Sequence, residues 1–368
     1  MDKLVQYTKK LISMSYKQLS KPQQENMAQL IVALFYTKSF SLRDISSSML
    51  GESNVKHKLK RLKYFLDSIT INMEFWKSFV KIIYSLPYFR LRARKYITIL
   101  IDATTLREDF WILAASISYR GRAIPVYLKM WKGVNEPYDY WSRVEEFIRG
   151  LKELMPVKYK YELIMDRGFQ GSVMFNLCKK TGWDYVIRIN NSYKIKLTDG
   201  TEYIQLDLFS EGLYEDVVLG VTQPVKNINV VINSVKSEGN GAMKWHLATS
   251  LQDKERTVND YSRRMWIEES FKDLKSELKW ELYTRKIPGK KRLENTIIIS
   301  CLSYAIRLSV GSDIEVPPSE EKKTSVLKRF QQLLVSGYRK IEIIYKKVIS
   351  LLNVNIYRFD HYYPKIFG

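Results

Sequence analysis

The sequence predicts a mixed α/β fold: a mixed sheet flanked by helices, entered through an all-helical N-terminal region and carrying a β-rich insertion at 190–250. Three observations predict it. Residues 1–95 place apolar side chains at helical spacing, period 3.6, with no strand-like run. From Tyr96 the texture changes to short strand-like runs separated by turn residues and by two helical stretches. Helical spacing then returns from about Asn259 onward.

Taken in order, Gln23–Tyr36 reads as a helix, and Ser39–Met49 as a second with a Ser start and Leu42, Ile45 and Met49 on one face. Gly51 ends it. Asn54–Ile69 follows, with Val55, Leu59, Leu62, Phe65 and Leu66 at helical spacing and Lys56, Lys58, Lys60, Arg61 and Lys63 interleaved. Two short helices joined by a Gly-containing turn, the second strongly basic, fit a helix-turn-helix-like DNA module. An ordinary helical bundle with its lysines in solvent is the competing reading. Tyr96–Asp102, Phe110–Tyr119 and Ala123–Trp131 then form a three-stranded meander, followed by helix 137–154, strand Tyr161–Asp166, helix Ser172–Thr181 and strand Asp184–Ile189. Within 190–250, Tyr193–Leu197, Val225–Ile232 and Trp245–Ser250 read as β, separated by Asp199-Gly200 and Gly239-Asn240-Gly241. A long helix over about Asn259–Tyr283, a basic cluster (Lys286, Lys290, Lys291, Arg292), a helix at Leu293–Leu308, a polar linker with Pro317-Pro318 and a last helix near 322–352 complete the chain. That last helix suits dimerisation or simple packing equally. The domain expectation is 1–95 helical and DNA-binding, 96–310 catalytic, and 311–368 a C-terminal helical region.

Charge narrows the partner. The 368 residues hold 60 Lys+Arg against 39 Asp+Glu, a net of +21, and a folded protein with that excess calls for a polyanion, nucleic acid before an anionic membrane. The excess is uneven: +12 over 1–95, +1 over 96–280 and +8 over 281–368. The flanks therefore look like the surfaces that hold DNA. Cys178 and Cys301 are the only cysteines and His57, His246 and His361 the only histidines. A disulfide framework and a Cys/His zinc site are thereby excluded, so a catalytic metal must rest on carboxylates, which favours Mg²⁺ or Mn²⁺. No apolar signal run opens the chain, and the longest apolar stretches fall far short of the ~20 residues that span a bilayer. The expectation is a soluble, cytoplasmic, nucleoid-associated protein without membrane contact.

Two strand-like runs close on a carboxylate, at Asp102 and Asp166. Taken singly, each reads first as a turn or cap residue. Two such carboxylates on neighbouring strands repel unless a cation sits between them, which is the core of a two-metal phosphoryl-transfer site. On a helix through 260–280, Tyr261, Arg264, Glu268 and Lys275 share an arc of about 60° at about 100° per residue, beside an apolar stripe of Ile267, Phe271, Leu274 and Leu278. A third carboxylate flanked by a phenol, a guanidinium and an ammonium suits DNA strand cleavage. A solvated face laced with salt bridges is the bland alternative.

The spacing Tyr261-x2-Arg264-x3-Glu268-x6-Lys275 reproduces the Y-(2)-R-(3)-E-(6)-K signature of DDE insertion-sequence transposases. Ile101-Asp102-Ala103-Thr104-Thr105 resembles that family's first catalytic Asp, and Asp166-Arg167-Gly168-Phe169 its D-R-G-F block. The resemblance covers roughly 96–280. It implies an RNase H-like catalytic domain with a β-rich insertion, and two Mg²⁺ or Mn²⁺ ions on Asp102, Asp166 and Glu268. It implies DNA contacts from Tyr261, Arg264 and Lys275, while the basic helix-turn-helix-like pattern assigns Lys56, Lys60, Arg61 and Lys63 to reading the terminal inverted repeats. It further implies cut-and-paste cleavage through a hairpin, strand transfer into target DNA, and a homodimer that pairs two ends. Relatives often place an aromatic between the signature Arg and Glu; here Met265 follows Arg264 and Trp266 comes next, where packing is the plainer role and a flipped base the bolder one. His246 reads as a core residue rather than a ligand. A nuclease that cuts without joining, or a DNA-binding protein derived from an inactive element, are the competing functions.

Overall fold

The computed structural model describes residues 2–37, 40–85, 96–106, 109–133, 137–236, 242–276, 278, 280 and 289–312. Among the described residues, five helices come first: α1 (Asp2–Ser15), α2 (Lys21–Tyr36), α3 (Leu42–Ser47), α4 (Val55–Ser68) and α5 (Met73–Tyr84). Side chains that accept early backbone N–H groups fix three of the starts: Ser41 from Asp44, Asn54 from His57 and Asn72 from Phe75. The second helix of the basic pair was expected to begin at Asn54, and Asn54 is its cap. Gly51, at φ +103°, makes the left-handed turn between α3 and α4. Lys58 is buried there, its Nζ donating to the Met49 carbonyl at 2.7 Å. One lysine of the basic helix therefore closes the turn instead of facing a partner.

The sheet has ten strands: β1 (Tyr96–Leu106), β2 (Phe110–Tyr119), β3 (Arg122–Lys132), β4 (Lys160–Met165), β5 (Asp184–Arg188), β6 (Lys194–Lys196), β7 (Ile204–Gln205), β8 (Gly212–Leu219), β9 (Val225–Lys236) and β10 (Ala242–Thr249). Their order is β3-β2-β1-β4-β5-β10-β9-β8-β6-β7. The first five form a meander joined to two parallel strands, β4 and β5, by way of α6 (Tyr140–Leu154) and α7 (Ser172–Thr181). This is the RNase H-like arrangement. The β-rich insertion extends the same sheet: β10 pairs antiparallel to β5, and β9, β8, β6 and β7 continue outward.

Three helices follow: α8 (Lys254–Ser262), α9 (Met265–Ser276) and α10 (Lys290–Ser312). The single helix expected over 259–283 is in fact two. It breaks at Arg263 and Arg264, where three-residue hydrogen bonds (Trp266 N–H to Arg263 O, 2.9 Å; Ile267 N–H to Arg264 O, 3.2 Å) replace the four-residue ladder. Ile267, Phe271, Leu274 and Leu278 are buried, as their stripe predicted. The N-terminal helices share one hydrophobic core with the sheet and α10. Arg292 grips Asp67 with two hydrogen bonds (2.6 and 2.5 Å), Asn295 donates to Leu66 O at 2.8 Å, and the Tyr84 and Tyr161 hydroxyls meet at 3.2 Å. Lys286, Gly239-Asn240-Gly241, Pro317-Pro318 and the helix expected at 322–352 lie outside the described residues.

Candidate active site

Strand register brings the two aspartates together. In the parallel β1–β4 pair, Ile101 lies beside Met165, so Asp102 and Asp166 are the next residues on neighbouring strands. Asp166 follows the last residue of β4, as the sequence suggested. Asp102 does not end its strand. β1 continues to Leu106 because β2 pairs with it as far as Phe110. What ends after Ile101 is the pairing with β4, and this opens the side of β1 on which Asp102 faces its neighbour. Each carboxylate is held by a local amide: Ala103 N–H donates to Asp102 Oδ1 and Gly168 N–H to Asp166 Oδ1, both at 2.8 Å. Gly168 leaves little room, since a Cβ there would lie 3.1 Å from Asp166 Oδ1.

The broken helix supplies the rest. Thr98 and Asp102 stand four residues apart on one face of β1, and the two consecutive arginines of the break reach both. Arg263 donates to Thr98 Oγ1 at 3.1 Å, and Arg264 Nη1 stands 3.7 Å from Asp102 Oδ2. Arg264 also donates through Nη2 to Glu268 Oε1, in the first turn of α9. Arg264 thus bridges Asp102 and Glu268, with its side chain only 15% exposed. Burial, then the charge of Asp166, push the Asp102 carboxyl up to about 7. Glu268 adds to the rise and Arg264 opposes it.

Residues 143–306 match the family described as the transposase DDE domain. Over that stretch, a little under half of the chain, the sequence is similar to a transposase DDE domain. The matched stretch contains Asp166, Tyr261, Arg264, Glu268 and Lys275, whereas Asp102 and the N-terminal helices precede it. No curated protein matches the chain.

Within the matched stretch, Tyr261 lies in the last turn of α8 and is buried, its ring edge-on to Trp245 at 4.9 Å. Burial raises its phenol, and the positive charges of Arg264 and Arg188 partly offset that rise. Arg188 had no signal in the sequence reading. It is the last residue of β5, and the register Met165 beside Ile187 sets it next to Asp166. Only the strand pairing reveals it. Lys275 lies seven residues beyond Glu268, about 10 Å along α9 at about 1.5 Å per residue. Trp266 is half-buried against the core, and His246 is buried, with desolvation lowering its pKa.

The donor set fits a hard divalent cation in chemistry: three carboxylates and no sulfur or imidazole. The stand-in for such a cation is the Arg264 guanidinium, which already neutralises two of the three. Among the described residues, no three His, Cys, Asp or Glu side chains converge closely enough to enclose an ion. No helix among them is long and apolar enough to cross a membrane.

On the N-terminal side, Lys56, Lys60 and Lys63 fall within about 60° of one another on α4 at about 100° per residue. Lys56 and Lys60 are exposed and Lys63 half-exposed. Arg61 points elsewhere and donates to Gln29 Oε1 at 2.7 Å, tying α4 to α2. Tyr64, 76% exposed beside the lysines, was not singled out by the sequence.

Proposed function

We propose that the chain cleaves the ends of a DNA element and joins them to target DNA, with Asp102, Asp166 and Glu268 as the catalytic carboxylates. The observation that carries this reading is that Asp102 and Asp166 adjoin on neighbouring strands while Arg264 bridges Asp102 to Glu268 of α9. Two divalent ions, Mg²⁺ or Mn²⁺, would be held by those three side chains and would polarise the attacking and leaving oxygens at phosphorus.

The chain's own residues do the rest. Asp102 and Asp166 are mounted on adjacent strands, which fixes their separation; Glu268 would supply the third carboxylate from α9. Arg264 exchanges its carboxylate partners for a phosphate of the bound strand, a fork-shaped donor set suited to that oxygen pair. Tyr261 and Lys275 position the strand beside the cleaved bond. In the N-terminal region, 1–95, the Lys56, Lys60 and Lys63 face tracks the backbone of the terminal repeat, while Arg61 shapes the fold rather than the DNA contact. Following the resemblance, cleavage runs through a hairpin end and the working assembly is a homodimer on two ends, in the cytoplasm at the nucleoid.

The test uses the purified full chain, a duplex carrying the element's terminal repeat, a target plasmid and Mg²⁺. Joined product supports the reading. Cutting without joining would make the chain a nuclease of the same fold, and binding without cutting would make it a DNA-binding protein only.

A further inference from the structure

We propose that Arg122, Asp273 and Tyr304 form a positioning clamp that sets where α9 holds the Glu268 carboxylate; the inference rests on the carboxylate site proposed above. α9 crosses the sheet with Glu268 near β1 and its second half over the start of β3. There Arg122 Nε donates to Asp273 Oδ2 at 2.8 Å, and the Tyr304 hydroxyl of α10 donates to the same oxygen at 3.0 Å. One turn nearer Glu268, the buried Ser270 Oγ accepts the Ala123 N–H of β3 at 2.7 Å. The helix is thus tied from two directions, to a strand backbone and side chain on one side and to a neighbouring helix on the other.

These bonds supply something the apolar face cannot. Ile267, Phe271 and Leu274 bury surface without direction. The turn before α9 is held by short three-residue bonds rather than a continuous ladder from α8. At that turn Arg263 and Arg264 reach Thr98 and Asp102 of β1, and the clamp fixes the opposite half of the same helix. A slip of one residue would carry Glu268 about 1.5 Å along the axis and about 100° around it. A displacement near 1 Å can lower a rate by about 10²-fold. Asp273 sits five residues past Glu268 on the same rigid helix, so holding Asp273 holds Glu268. The group is also polar where an apolar contact would pack as well: Asp273 is 13% exposed, Tyr304 and Ser270 are fully buried, and Arg122 is half-buried. A satisfied buried polar network specifies one pose in a way that a greasy contact does not. Supporting contacts behind metal ligands typically change metal affinity by about 10–100-fold when removed. Asp273 touches neither substrate nor ion; it acts through Glu268.

The experiment is a Mn²⁺ titration of the full chain followed by electron paramagnetic resonance, alongside thermal melting. Asp273→Asn is expected to weaken Mn²⁺ binding about tenfold, as is Glu268→Gln, and the double variant is expected to be no weaker than Glu268→Gln alone. Arg122→Lys, which keeps the charge but not the fork, is expected between wild type and Asp273→Asn. Should Asp273→Asn not fold, Tyr304→Phe removes only the hydroxyl that reaches Asp273 and is expected to weaken Mn²⁺ several-fold. A lower melting temperature with unchanged Mn²⁺ affinity would overturn the clamp, and so would effects of Asp273→Asn and Glu268→Gln that simply add. If Glu268→Gln itself leaves Mn²⁺ binding unchanged, the carboxylate-site reading fails, and the clamp with it.

Discussion

Arg264→Gln tests whether the bridging guanidinium and a divalent ion compete for one place. Arg264 Nη1 stands 3.7 Å from Asp102 Oδ2 and Nη2 is bonded to Glu268. At an effective dielectric constant of about 20, unit charges at that distance attract by about 4 kcal/mol. Most of this is recovered when a long side chain swings out and is rehydrated, and Glu268, 34% exposed, is itself screened. A net of about 1.4 kcal/mol is a reasonable remainder, which is a factor of about ten in affinity. Removing the guanidinium should therefore tighten Mn²⁺ binding to the DNA-free protein about tenfold. The same substitution should weaken binding of a cleaved DNA end, because the phosphate loses its fork. Equilibrium Mn²⁺ titration and end binding by fluorescence anisotropy read the two effects separately. Unchanged or weaker Mn²⁺ binding in Arg264→Gln would refute the competition.

Four further outcomes follow from the geometry. Gly168→Ala places a methyl group 3.1 Å from Asp166 Oδ1, so Asp166 must shift by a few tenths of an ångström; Mn²⁺ binding should weaken with little change in melting temperature. Lys56→Ala, Lys60→Ala and Lys63→Ala combined should lower the salt dependence of DNA binding, log K against log salt, by between about 2 and 3, at about 0.9 per phosphate contact. Arg61→Ala should leave that slope unchanged and instead loosen α4 from α2. Glu162 is buried among Arg256, Asp260 and Asp184, and desolvation first, then the charge of Asp260, raise it from 4.5 to about 8. The folded chain therefore keeps a proton that the unfolded chain releases near pH 4.5, so stability should fall as pH rises from about 4.5 to about 8 and level off above. Melting curves across that range should flatten in Glu162→Gln.

Much of this architecture is legible in the residues. Val55, Leu62 and Phe65 mark α4, the strand-like run Phe110–Tyr119 between turn residues marks β2, and Ser172–Thr181 needs no adjustment at either end. What the sequence hides is hidden for physical reasons. No Gly or Pro interrupts Asn259–Ser276, so the pattern reads as one helix; the break comes from tertiary demand, as Arg263 and Arg264 turn to Thr98 and Asp102. The length of β1 past Asp102 depends on its pairing with β2, a partner that local pattern does not specify. Lys58 looks like every other lysine of its helix until the Met49 carbonyl is seen to need a donor. Arg188, Asp273 and Arg122 matter through neighbours distant in sequence, which periodicity cannot supply.

The claim on which the account turns is that Asp102, Asp166 and Glu268 act together in divalent-ion-dependent DNA strand cleavage. The direct measurement is cleavage of a terminal-repeat duplex by the wild type and by Asp102→Asn, Asp166→Asn and Glu268→Gln, each first shown to fold and to bind the duplex. Mg²⁺-dependent cleavage by the wild type is expected, with its loss in all three variants and duplex binding retained. Cleavage that survives in any one of them would contradict it.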